Sequence, residues 1–154
     1  MCDYSLFEHP NRLAVEGEEL VTYRFPSHSI GLVSPAEFSR PEAVCGGGIW
    51  SALKRAFATR PVPVAVCVPH GAQLRLERIE GSFRRQYGLQ ENEDATFIQT
   101  TAASHTHRDA IRFASGEQIL LQNVPERQRM RVLSLGSEAV ESFIEPHVEE
   151  PLAA

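Results

Sequence analysis

Cysteine is scarce in this chain. Only Cys2, Cys45 and Cys67 occur among 154 residues, an odd number with no close spacing. A disulfide framework is therefore not expected, and reduced thiols in a cytoplasm are. Long apolar runs are missing as well. None approaches the roughly 20 residues that cross a bilayer, and Met1-Cys2-Asp3-Tyr4-Ser5-Leu6 has neither the basic start nor the apolar core of a signal peptide.

An excess of positive charge is also absent. Fifteen basic residues stand against twenty acidic ones, a formal charge of -5, whereas general binding to a phosphate backbone needs a basic footprint. The local arginines (Arg84-Arg85; Arg127, Arg129, Arg131) are diluted by Glu126 and neighbouring acids, so nucleic acid is not an expected partner. Gly46-Gly47-Gly48 lacks the preceding strand and the following Lys-Ser/Thr of a phosphate loop. There is no Gly-x-Ser-x-Gly nucleophile elbow. Glu91, Glu93 and Asp94 have the wrong spacing for a calcium loop.

What remains is an ordinary globular composition, 42% hydrophobic and 23% charged, long enough for one domain with its own core. Leu13-Ala14-Val15, a Glu16-Gly17-Glu18 turn and the alternation of Val21, Tyr23 and Phe25 predict a hairpin. Ser34-Pro35-Ala36-Glu37 carries the N-cap, first-turn proline and acid of a helix start. Further strands are expected around Val64–Val68, Leu74–Leu76, Ala95–Thr100, Ile119–Leu121 and Met130–Leu135, with a helical turn at Phe83–Tyr87. Short, regularly punctuated strands predict a mainly β fold, a small barrel or sandwich with one or two short helices in an insertion.

The β-rich domain is expected over residues 1–143. A helical insertion is expected at 39–63, with the flexible glycine run inside it and Pro61-Val62-Pro63 closing its far side, and an acidic tail at 144–154 is expected to be disordered. Within the insertion, residues 49–58 place Ile49, Trp50, Leu53, Ala56 and Phe57 at helical spacing. That helix would lid the core or meet a protein partner. Val68-Pro69 before Leu74-Arg75-Leu76 is echoed by Val124-Pro125 before Met130-Arg131-Val132. The echo reads as the common chemistry of strand entry rather than as a duplication.

The chemical clue lies in His105-Thr106-His107-Arg108-Asp109. In an extended chain alternate side chains share a face, so His105, His107, Asp109, Ile111 and Phe113 would line one side. Imidazole and carboxylate are ligands for zinc or iron, and Asp109 would be a third ligand or would orient a histidine. A fourth group would come from Cys2, Cys67 or His70, the last two forming a Cys-x-x-His pair. A bulge would instead shift the parity and leave both histidines in solvent, and Asp109 has ordinary surface partners in Arg108 and Arg112.

Cys2 supports a rival reading. Removal of Met1 would expose an α-amine and a thiol on one residue, the makings of an N-terminal-cysteine hydrolase or amidase with Cys2 as catalytic nucleophile. The start is similar to that of amidotransferases beginning Met-Cys-Gly, with Asp3 in place of the glycine. It is similar also to the Met-Cys-Gly-Arg start of proteins that crosslink abasic DNA, without their Gly-Arg. Met1-Cys2-Asp3-Tyr4-Ser5-Leu6, with Arg108-Asp109-Ala110, Phe113 and Gly116, resembles a bacterial family of unassigned activity. That resemblance implies a stand-alone bacterial protein and transfers no site. A third reading is a non-catalytic interaction module using the 49–58 helix.

Overall fold

The computed structural model describes residues 9–38, 62–101 and 106–136. Cys2, Cys45, His105, the 49–58 helix and the 144–154 tail lie outside them. Nine strands are described, β1 Asn11–Leu13, β2 Glu19–Arg24, β3 Ile30–Val33, β4 Ala65–Cys67, β5 Gln73–Glu77, β6 Glu93–Gln99, β7 Asp109–Phe113, β8 Gln118–Leu120 and β9 Arg129–Ser134. Two short helices, α1 Pro35–Phe38 and α2 Gly81–Tyr87, and a 3-10 turn at Leu121–Asn123 complete the described elements. Seven strands form one curled, half-barrel sheet in the order β3-β2-β9-β5-β6-β7-β8. The fold is mainly β, as the punctuated strands predict.

Alternation builds the core. Leu74 and Leu76 of β5, Met130 and Val132 of β9, Phe97 of β6, and Ile111 and Phe113 of β7 all point inward, while Gln73, Arg75 and Arg129 point to solvent. Each buried aliphatic or aromatic side chain contributes about 1.5–3 kcal/mol. β3 is buried on both faces, because Val21, Phe25, Val33 and Ala65 form a second small core behind the sheet. Tyr23 meets Phe25 edge-on there, with ring centroids 5.0 Å apart.

One predicted pairing is corrected. β1 does not form a hairpin with β2; it runs parallel to β4, Leu13 opposite Cys67. Both edges of β2 are already taken, by β3 and by β9. The Glu16-Gly17 turn is present, with Gly17 at φ 82° and the Glu18 N–H bonded to the Val15 carbonyl at 3.1 Å. It redirects the chain from one sheet to the other.

The faint sequence echo is a structural repeat, contrary to its reading as coincidence. Pro69 O accepts the Ala72 N–H at 3.2 Å, and Pro125 O accepts the Gln128 N–H at 3.4 Å. Gly71 donates to Phe97 O at 2.8 Å and Arg127 to Thr22 O at 2.9 Å; Phe97 donates to Ala72 O and Thr22 to Gln128 O. Strand registers follow the same correspondence. Arg75 lies opposite Asp94 as Arg131 lies opposite Glu19, and Leu74 opposite Ala95 as Met130 opposite Leu20. Phe97 faces Ile111 as Thr22 faces Leu32. Strands β2, β3 and β5 therefore recur as β6, β7 and β9, whereas β8 pairs antiparallel with β7 and β4 pairs parallel with β1 in the other sheet. Because β5 and β9 pair with Arg75 opposite Arg131, each residue facing its own equivalent, a local two-fold axis passes between them.

Two departures from this symmetry stand out. Between β3 and β4 the first half has residues 34–64, which include the predicted 39–63 insertion, where four positions, 114–117, join β7 to β8. Between their first two strands the halves differ too. Five residues join β2 to β3, but nine join β6 to β7.

Candidate functional site

The longer of those two connections, residues 100–108, contains His105 and His107. At its foot the predicted parity holds for part of the row. Asp109, Ile111 and Phe113 are buried and Arg112 is exposed. The row stops there. β7 begins at Asp109, and His107 lies before it, off the strand and exposed. Next to the strand end, the Thr100 N–H donates to the Arg108 carbonyl at 2.8 Å. His107 precedes the strand, so strand parity does not govern it.

Asp109 is 6% exposed, and a buried carboxylate requires partners. The Gln99 side-chain amide, directly across the ladder, donates to its Oδ1 at 3.2 Å. The backbone N–H of the same Gln99 donates to His70 Nδ1 at 3.0 Å. Two of the residues singled out in the sequence, His70 and Asp109, thus meet through a third that pattern reading overlooked. Gln99 carries no motif; only its register opposite Asp109 gives it this role.

The bond to His70 has a chemical consequence. A ring nitrogen that accepts an N–H keeps its lone pair engaged, and the neutral ring then holds its proton on Nε2. In this arrangement His70 offers no outward lone pair to a metal. Its equivalent in the other half, Glu126, accepts from the side-chain guanidinium of Arg24, the counterpart of Gln99. His70 fastens a turn to a strand, as Glu126 does.

Cys67 ends β4, is buried, and is disulfide-bonded. This departs from the expectation of reduced thiols, and spacing along the chain could not reveal it because the fold supplies the proximity. While the bond stands Cys67 is not a thiolate ligand. Among the described residues no group of three or more His, Cys, Asp or Glu side chains is placed to hold a metal ion. Cys2 and His105 lie outside them.

A separate open depression of about 560 Å³ lies on the solvent face, lined by Arg75, Glu77, Asn92, Glu93, Asp94 and Ala114. Its charges are largely spent on one another. Arg75 grips Asp94 with two bonds of 2.7 and 2.9 Å, which hold the Asp94 carboxyl below the ordinary range, and Glu77 accepts from Arg131 at 3.1 Å. It sits at the far end of β7 from Asp109.

No protein-family model, curated protein or solved structure matches the chain. No described helix is long and apolar enough to cross a membrane.

Proposed function

We propose that this protein binds one transition-metal ion, zinc or iron, where β6 passes into β7, through His105, His107 and Asp109, with Cys2 as the thiolate to complete the set. One observation carries this reading: the site lies at one of the two places where the internal two-fold symmetry breaks. At the equivalent place in the first half the strand begins with apolar Ile30 and the connection is four residues shorter, five against nine. The second half has instead a buried carboxylate, fixed by Gln99, and a longer loop bearing two imidazoles. Of the two departures from the symmetry, only this one carries histidine in its sequence, and function concentrates in loops set on a rigid scaffold. With Asp109 orienting a histidine rather than binding, the ion would have three protein ligands and keep an open position, the condition for a small metalloenzyme.

The experiment is metal analysis and zinc titration of untagged protein. One equivalent is expected in the native chain, lost in His105→Ala/His107→Ala and weakened at least tenfold in Asp109→Asn. Native protein without stoichiometric binding, or equal binding by the double variant, sinks the proposal.

A further inference from the structure

Each half of this fold is completed by the other. β5, the last strand of the first half, lies against β6, the first of the second. β9, the last strand of the second half, lies against β2, the first of the first. The two exchanged strands pair with one another along the local two-fold axis. Without β9, β2 would keep only β3 and expose a long edge whose backbone groups template pairing. The core is shared in the same way, since Leu20 lies opposite Met130 and Leu74 opposite Ala95.

We infer that this exchanged-strand surface is self-complementary, and that the partner it fits is a second copy of the chain, the second half of each completing the first half of the other. In such a pair the strand contacts of the monomer are retained. Only the path of the β5–β6 connection changes, at the exposed Gln90-Glu91-Asn92 beside Glu93. The rest of that connection favours the single-chain form. Ile79, Phe83 and Leu89 are buried in the core, which folds the chain back and keeps the two halves at high effective concentration.

Two full-length variants test this without requiring either to fold. Leu20→Asp places a carboxylate in the core of the first half and Phe97→Asp does so in the second, positions 0% and 2% exposed. Refolded alone, each is expected to show no cooperative transition. Refolded together in equal amounts, the sound first half of one chain and the sound second half of the other form one native module per pair. The circular-dichroism transition should then return at half the amplitude of native chain at the same total concentration, and light scattering should give the mass of two chains. A mixture that stays unfolded overturns the inference. So does either variant folding by itself, because the halves would not then depend on each other.

Discussion

Gly71 and Arg127 hold the same position in the two halves. Both have left-handed backbone, φ 86° and 64°, and each donates its N–H to the strand beside it, at Phe97 and Thr22. Glycine adopts this conformation without penalty, whereas a side chain is strained there. Nothing lies within 4 Å of a Cβ built at Gly71, so the strain is in the backbone alone. Gly71→Ala is expected to cost about 1 kcal/mol, while Arg127→Gly costs nothing or stabilises. Urea unfolding of both variants measures this, and the reverse order would deny the equivalence.

Gln122 closes one edge of the sheet. Its Oε1 accepts the Ile30 N–H at 2.8 Å and its Nε2 donates to the Ile30 carbonyl at 2.9 Å, a side-chain amide standing in for a neighbouring strand. Gln122→Leu would leave both backbone groups of a buried residue unpaired, at a cost of about 1–3 kcal/mol. Hydrogen exchange at the Ile30 amide should accelerate more than exchange at Leu74 in the sheet centre. Equal acceleration at both would indicate global loosening instead.

Glu18 ties the redirecting turn to β1. It accepts from the Arg12 guanidinium and from the Val15 N–H. Burial alone would raise its pKa, but the Arg12 hydrogen bonds, the Val15 N–H and the Arg12 charge together bring it below the usual carboxylate range. A depressed folded value contributes stability above the unfolded glutamate pKa of about 4.3, and that contribution disappears as pH falls through the folded value. Glu18→Gln should therefore destabilise by about 1 kcal/mol at pH 7, discounted for solvent screening. The difference should vanish near pH 2–3. Denaturant curves at the two pH values check the sign.

The Cys67 disulfide should be worth about 2–4 kcal/mol. Thermal unfolding with and without a strong reductant measures it. Non-reducing peptide mapping identifies the partner, and the answer bears on the metal site. If Cys67 pairs with Cys45, the Cys2 thiolate remains available; pairing with Cys2 would withdraw it under oxidising conditions.

The patterns legible in the sequence were those set by neighbouring residues. Alternation placed Asp109, Ile111 and Phe113 on one buried face, and Ser34-Pro35 marked the start of α1. The expected strand at Ile119–Leu121 is present in part as β8, Gln118–Leu120. Parity failed at His107 because a period-two pattern has meaning only while the chain stays paired. The parallel β1–β4 pairing, the Gln99 link between His70 and Asp109, and the meaning of the Val-Pro echo all depend on segments brought together from afar. The echo was visible in the letters, but only the register of Arg75 against Arg131 distinguishes a duplicated unit from a common strand entry.

The pairing of β2 with β9 also sets a timetable. The Thr22 hydroxyl and the Gln128 N–H that it bonds are 106 positions apart. Contacts of such long range form slowly, because loop closure must precede any gain from pairing. On a ribosome the second strand of the sheet would emerge early and wait for the last, with its edge open meanwhile. The vulnerable interval in the life of this protein is thus its synthesis. A chaperone that shields β2 until Arg129–Ser134 has emerged would raise the yield of soluble chain.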